Sequence, residues 1–339
     1  MKKIFNIIMT LSILSLLVLT SCGSAPQTES NGLTVLASTS FLADITQNVA
    51  GDRVQVNSLL PIGADPHAYQ AAPSDVTKIA ESDLLILNGI EYEHFIESLL
   101  ENAGGERVVV EATAGLTPHE MEEHGHEGEE HEGEEHEGEE HEGEEHEGEE
   151  HEGEEHEGEE HAHEAGDPHM WLDPNLVITY VENIRDGFIE VDPDGKEIYE
   201  QNAQTYINQL TDLDAWIIEQ VNQIPAERKL LVTNHEALNY FAEQYGFEVV
   251  DSILPSFSSE ASASAQEIAD AIDAIKESGA PAIFLGEVEN ADLANQVASE
   301  TGVKVVDNLY LESLTDGEPA QTYIDMMKHN VMQIVNALK

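Results

Sequence analysis

A second cysteine is missing: 339 residues contain one, Cys22, so the chain has no internal disulfide to make. Cations are scarce, with 13 Lys and Arg against 69 Asp and Glu and a formal net charge of -56. A chain so negative has no electrostatic grip on nucleic acid or on anionic lipid. It favours cations near its surface, or answers a saline or alkaline habitat. There is no H-E-x-x-H helix and no nucleophile elbow, the two signatures that most often announce a zinc protease or a serine esterase. The apolar stretch from Ile4 to Leu19 is shorter than the ~20 residues of a membrane-spanning helix.

That stretch follows Lys2 and Lys3 and reads as an export signal. It ends in Leu19-Thr20-Ser21-Cys22, which looks like a bacterial lipobox, where cleavage exposes a cysteine for lipid attachment. The expectation is a signal peptide over residues 1–21 and a lipidated tether over 22–32, polar and flexible from Ser24 to Asn31. The mature protein is then extracytoplasmic and anchored to the bacterial cell membrane through Cys22.

What the chain has in excess is the unit HEGEE, repeated seven times from His126 to Glu160. The seven units carry -21 of the net charge and leave -35 elsewhere. Glycine in every unit and dense like charge oppose both helix and core, so residues 119–164 are expected to form a disordered loop. Imidazoles five residues apart would scatter around a helix axis, so no single tetrahedral site is built in. A flexible chain can still gather several side chains around one Zn²⁺. Weak auxiliary metal sites are therefore expected at His124, His126, His131, His136, His141, His146, His151, His156, His161 and His163. The bland alternative is an expanded repeat that only solvates the surface.

On both sides of the tract, apolar runs alternate with amphipathic stretches. Strand-like segments lie at 33–38, 54–60, 83–88 and 107–112, and again at 229–234, 247–253, 282–287 and 304–309. Helical spacing falls at 41–50, 74–82, 93–102, 236–245, 264–278 and 290–300. This rhythm predicts an α/β fold of two lobes, each a mainly parallel sheet flanked by helices. Asp173-Pro174 marks a helix start, and Asp192-Pro193 a second. From there an apolar face that includes Tyr199, Tyr206, Leu213 and Trp216 predicts a helix of roughly 30 residues, about 45 Å long, joining the lobes rigidly. The expected units are an N-terminal lobe over 33–191, a linking helix over 192–224 and a C-terminal lobe over 225–339.

Three histidines sit in loops or at strand ends, in GADPHAY (63–69), DPHMWLDP (167–174) and VTNHEA (232–237). The carboxyl edge of an open α/β sheet is where ligands bind, and three neutral imidazoles converging there suit Zn²⁺ with a carboxylate or water as the fourth partner. His94 and His329 lie in helical stretches and read as surface residues.

GADPHAY, PSDV (73–76), LNGIEYE (87–93), DPHMWLDP, the long helix and NHEALNYFAEQYGF (234–247) together resemble the metal-specific solute-binding lipoproteins of bacterial ABC importers for zinc or manganese, the ZnuA type. The resemblance spans nearly all of Leu33 to Lys339. It implies a monomeric receptor, not an enzyme, with its metal site in the cleft between the lobes and an ABC permease and its ATPase as partners. By resemblance, His67, His169 and His235 match three ligand positions. Glu312, in LYLESL, matches the fourth, where relatives often have aspartate. Zinc-preferring relatives carry histidine at the third position, so His235 points to Zn²⁺. Asp65 and Asp173 stand close enough in sequence to accept the second N–H of a ligand imidazole, although turn formation and helix capping explain both equally well. Three rival readings remain: a manganese receptor of the same family, a zinc hydrolase with Glu236 as base, and a cell-surface metal buffer or adhesin.

Overall fold

A computed structural model of the chain describes residues 32–120, 166–259 and 261–339. Cys22, the leader and the histidines from His124 to His163 lie outside the described residues. Eight strands form two parallel four-stranded sheets. The first holds β1 (Val35–Ala37), β2 (Val56–Ser58), β3 (Leu84–Leu87) and β4 (Val108–Glu111) in the order β2-β1-β3-β4. The second holds β5 (Leu230–Thr233), β6 (Glu248–Ser252), β7 (Ala282–Gly286) and β8 (Lys304–Leu309) in the order β6-β5-β7-β8. The two lobes thus share one strand order, and every predicted strand is present.

Both faces of each sheet are covered, which is why the strands read as unbroken apolar runs instead of alternating ones. In the first sheet Leu36, Leu85 and Leu87 face outward, against Ile79 of α2 (Pro73–Ala80) and Ile96 and Leu99 of α3 (Ile96–Ala103). In the second, Val232, Ile283 and Leu285 pack with Ile272 and Ile275 of α7 (Ala265–Ser278) and Val297 of α8 (Ala291–Thr301). The alternate residues, Val35, Ala37, Leu84 and Ile86 on one side and Leu231, Ala282 and Phe284 on the other, belong to one central core shared by both lobes.

Four long helices fill that core: α1 (Ser40–Ala50), α4 (Pro174–Val191), α5 (Lys196–Val221) and α9 (Tyr323–Leu338). Helix α5 packs against α1, α4 and α9 and buries Tyr199, Tyr206, Leu210, Leu213 and Ile217. It therefore joins the lobes as part of their common core. Its start differs from expectation. Asp173 does cap α4, accepting from the Asn175 N–H at 2.9 Å. Asp192 instead spends both oxygens on Arg53, at 2.5 and 2.9 Å, and on the Tyr199 hydroxyl at 2.6 Å. The chain turns a 3-10 corner at Pro193–Gly195 before α5 begins. Side-chain capacity drawn to Arg53 leaves no cap for a helix at that point, so α5 has 26 residues. Gly195 is required at this corner because an added Cβ would lie 2.5 Å from the Arg53 Nε.

Two more predicted helices begin late. In the first lobe, the buried Glu93 carboxylate accepts from the Ser38 hydroxyl at 2.6 Å and the Asn88 and Gly89 N–H groups at 2.6 and 3.2 Å. These bonds fold residues 88–95 into a turn, with Ile90 and Glu91 at positive φ, and delay α3 to Ile96. In the second lobe α6 starts at Asn239, because the Glu236 N–H donates to Ser256 O at 2.9 Å and the Ala237 N–H to His235 O at 2.8 Å. Both delays free a turn at a sheet's carboxyl edge.

Candidate metal centre

His67, His169, His235 and Glu312 each bring one ligand atom into a cluster whose members all lie within 4.8 Å of one another. His67 follows β2, His235 follows β5 and Glu312 follows β8, so three of the four stand at carboxyl edges of the two sheets. His169 comes from the segment that crosses between lobes, just ahead of a 3-10 turn at Met170–Leu172 and α4. The side chains are sealed from solvent, His67 being 1% exposed and the other three 0%.

The distances converge on one oxygen. Glu312 Oε1 lies 3.4 Å from His169 Nε2, 3.6 Å from His235 Nε2 and 3.8 Å from His67 Nε2, and the His169 and His235 Nε2 atoms are 3.3 Å apart. A tetrahedron with metal–ligand bonds of ~2.0–2.1 Å has edges of about 3.3–3.4 Å. Four donors already near that spacing can close on a small cation with little movement. Oε1 has no hydrogen-bond partner among the described residues, whereas Oε2 accepts a very short bond from the Tyr92 hydroxyl. A buried carboxylate with one oxygen held and the other free is set up to accept something at the free one.

Each ligand position has a different support. His169 Nδ1 meets Asp167 Oδ1 at 2.8 Å, and Asp167 Oδ2 accepts from Asn239 Nδ2 at 3.1 Å. His235 Nδ1 makes a very short contact with Glu289 Oε1. Among the described residues His67 has no hydrogen-bond partner at either ring nitrogen, and its ring rests edge-on to Tyr92. The Glu312 segment is held by Glu287, which accepts from the Leu311 and Ser313 N–H groups at 2.8 and 2.7 Å, and by Trp171 Nε1, which donates to Leu311 O at 2.9 Å.

The electrostatics follow these contacts. Burial alone would lower both buried imidazoles, but Asp167 and Glu312 hold His169 above its ordinary value, and Glu289 with Glu312 pushes His235 up to about 10. Burial likewise opposes charge on Glu312, yet the three surrounding imidazoles bring it well below the usual carboxylate range. Burial pushes Glu287 up to about 8. A dense, paired set of charges inside an apolar shell marks a functional site more often than a structural one.

The geometry decides between the two readings left open for Asp65 and Asp173, in favour of turn formation and capping. Asp65 gives its oxygens to the His67 backbone N–H at 2.9 Å and to the Ser259 hydroxyl at 2.7 Å, and Asp173 caps α4. Asp167 and Glu289 take the role instead. Asp167 was visible in the motif DPHMWLDP, two residues ahead of His169. Glu289 lies 54 residues from His235 in sequence, and Tyr92 is 220 from Glu312, so neither left a local signal. His94 is exposed, and His329 Nε2 pairs with Asn308 O at 2.9 Å.

The described residues that flank the repeat tract in sequence meet at the same place. The Asp167 N–H donates to His119 O at 2.9 Å, and the His119 ring stacks on Tyr240 with its Nε2 at 2.8 Å from Glu243. The Tyr240 hydroxyl donates to Asp167 O at 2.8 Å. The described residues on either side of the tract therefore meet beside the carboxylate that holds His169. No helix among the described residues is long and apolar enough to cross a membrane.

The family model described as zinc-uptake complex component A, periplasmic, matches residues 35–337. The chain is 32% identical over 326 residues to the manganese-binding lipoprotein MntA of Halalkalibacterium halodurans, covering 95% of each. It is 29% identical over 346 residues to the manganese ABC transporter substrate-binding lipoprotein ScaA of Streptococcus gordonii, covering 100% of this chain and 99% of that one. Among solved structures, the periplasmic zinc-binding protein TroA of Treponema pallidum superposes with a TM-score of 0.72 at 26% identity, over 90% of this chain and 99% of that one.

Proposed function

The chain belongs to the family of zinc-uptake complex component A proteins, and from that premise we propose that it captures Zn²⁺ outside the cytoplasm with His67, His169, His235 and Glu312. The coarser part comes with the family: a metal-binding substrate-binding receptor of an ABC transporter, not an enzyme. Its partners are then a membrane permease and the ATPase that drives it. Lipid on Cys22 would keep the receptor at the membrane where the permease is, as the lipoprotein names of the relatives suggest for them.

The choice of zinc rests on the bond from Tyr92 to Glu312 Oε2. It leaves one carboxylate oxygen for the metal, so the donor set is three imidazole nitrogens and a single oxygen. Four donors of that kind suit tetrahedral Zn²⁺, whereas Mn²⁺ favours more ligands and more oxygen. Manganese is the second reading, favoured by the names of MntA and ScaA. The test is a titration of the mature protein with Zn²⁺ and Mn²⁺, on wild type and Tyr92→Phe. Zinc should bind far more tightly to wild type, and Tyr92→Phe, by freeing Oε2, should narrow the gap. Tighter manganese binding in wild type would overturn the assignment of zinc.

We propose that the HEGEE tract raises local zinc near the cleft through several weak, exchanging sites. The contact between His119 and Asp167, which flank the tract in sequence, supports that reading.

A further inference from the structure

We infer that Glu289, which is not itself a ligand, fixes the hydrogen of His235 on Nδ1 so that Nε2 presents a lone pair to the metal. This deepens the reading of the cluster as a metal site and rests on it. The argument begins with what surrounds the ring. His235 Nε2 faces His169 Nε2 at 3.3 Å and Glu312 Oε1 at 3.6 Å. Among the described residues, the hydrogen-bond partner of Nδ1 is Glu289 Oε1. Glu289 Oε2 is committed as well, accepting the Gly286 N–H at 2.5 Å where β7 ends. The carboxylate is 1% exposed and the imidazole 0%. A carboxylate accepts hydrogen bonds at its oxygens, and Glu289 Oε2 already takes the Gly286 N–H. The hydrogen in the Nδ1–Oε1 contact is therefore placed on the ring at Nδ1, which leaves Nε2 as the nitrogen that faces the cluster with its lone pair.

Asp167 does the same for His169 at 2.8 Å, while neither ring nitrogen of His67 has a partner. Glu289 is thus one of two positioning residues, and it is the one that reaches its imidazole from a distant strand end. The special demand on it is chemical. A glutamine would have the same shape, but it carries one oxygen and one NH₂. With its oxygen accepting from Gly286, the NH₂ group points at His235 Nδ1, forcing that nitrogen to accept and moving the ring hydrogen to Nε2. Turned over, the NH₂ group meets the Gly286 N–H. Either orientation is wrong at one end. An alanine imposes no tautomer, since it offers Nδ1 neither donor nor acceptor.

The experiment uses the full chain as wild type, Glu289→Gln and Glu289→Ala, with zinc affinity read by competition against a tight chelating dye and folding checked by thermal melts in chelator. The expected result is that Glu289→Gln loses ~10–100-fold in zinc affinity and Glu289→Ala loses less, although glutamine is the better space-filler. A role in packing alone gives the reverse order. Imidazole ¹⁵N NMR of zinc-loaded wild type provides the second measurement, independent of whether either variant folds: His235, assigned by its loss in His235→Ala, should retain its hydrogen on Nδ1. Glu289→Gln binding within twofold of wild type, a weaker Glu289→Ala, or an Nε2–H signal on His235 overturns the inference and leaves the metal-site reading standing. Tight zinc binding that survives His235→Ala removes His235 from the site, and this inference with it.

Discussion

The tripeptide Asp-Pro-His occurs twice beside the cluster, as residues 65–67 and 167–169, and the two copies do different work. In each, the aspartate Oδ1 accepts the histidine's backbone N–H at 2.9 Å, the local turn that this side chain favours. There the likeness ends. Asp167 Oδ1 also meets its own histidine's Nδ1 at 2.8 Å. Asp65 reaches across to the other lobe instead, and its Oδ2 accepts from Ser259 at 2.7 Å. One copy orients an imidazole. The other ties a loop across the cleft, and its imidazole has no hydrogen-bond partner among the described residues. Identical local chemistry therefore yields a held imidazole and an unheld one, and long-range contacts decide which.

The largest effect should come from removing the imidazoles themselves. A quarter share of the ~10–16 kcal/mol that a structural zinc site supplies is about 3 kcal/mol, or ~100-fold in affinity. His67→Ala and His169→Ala should each lose about that much, read by zinc titration of the tight site. The metal-free proteins should then part company. His169→Ala strands the buried Asp167 carboxylate, a loss of about 1–3 kcal/mol, whereas His67→Ala breaks no side-chain hydrogen bond. Thermal unfolding in chelator should show His169→Ala as the less stable.

Next in size is the contrast between the two aspartates. Asp167→Ala should weaken zinc binding ~10–100-fold by releasing the His169 ring. Asp65→Ala should cost only a few-fold, since its imidazole never leaned on it. Equal losses in a paired titration would show that the two tripeptides act alike after all.

A partly buried carboxylate in the core helices sharpens the comparison because it has no imidazole. Asp44 in α1 accepts the Tyr323 N–H at 2.9 Å where α9 begins, and burial pushes it up to about 6 from 3.8. Above about pH 6 it is ionised in both folded and unfolded chains, and the cost of burying its charge is fully present. As pH falls from 6 towards 3.8 the folded chain takes up the proton first and gains stability relative to the unfolded one. Asp44→Asn should thus be more stable than wild type by about 1–3 kcal/mol at pH 8, with the difference vanishing by pH 4. Denaturant unfolding at a series of pH values measures it.

The smallest effect on tight binding should come from the tract. Since His119 O and the Asp167 N–H already meet at 2.9 Å, deleting Glu120 to Glu164 leaves ends that lie together. Weak zinc binding should disappear, tight binding should stay within about twofold of wild type, and uptake should suffer mainly when zinc is scarce.

The contrast between the two tripeptides also marks how far the sequence could be read. All eight strands and the long core helix were legible, because apolar runs and three- and four-residue spacing are local signals. The four clustered side chains were legible from motif and resemblance. What escaped was set by distance in sequence. Asp192 was expected to start a helix but is claimed by Arg53, 139 residues away. Glu93 holds a turn at the start of a stretch read as helical, through Ser38 and two backbone N–H groups. Glu289 and Tyr92 support ligands on remote strands. Asp65 and Asp167 are each followed by Pro-His, so the shared tripeptide could not tell them apart.

The central claim is that three imidazole nitrogens and one carboxylate oxygen surround the cargo metal. X-ray absorption at the zinc edge, on protein lacking the tract and loaded with one equivalent of Zn²⁺, tests it most directly. The account predicts a four-coordinate first shell at ~2.0–2.1 Å with the multiple-scattering pattern of three imidazoles. A shell of five or six mainly oxygen ligands, or one with fewer than three imidazoles, would contradict it.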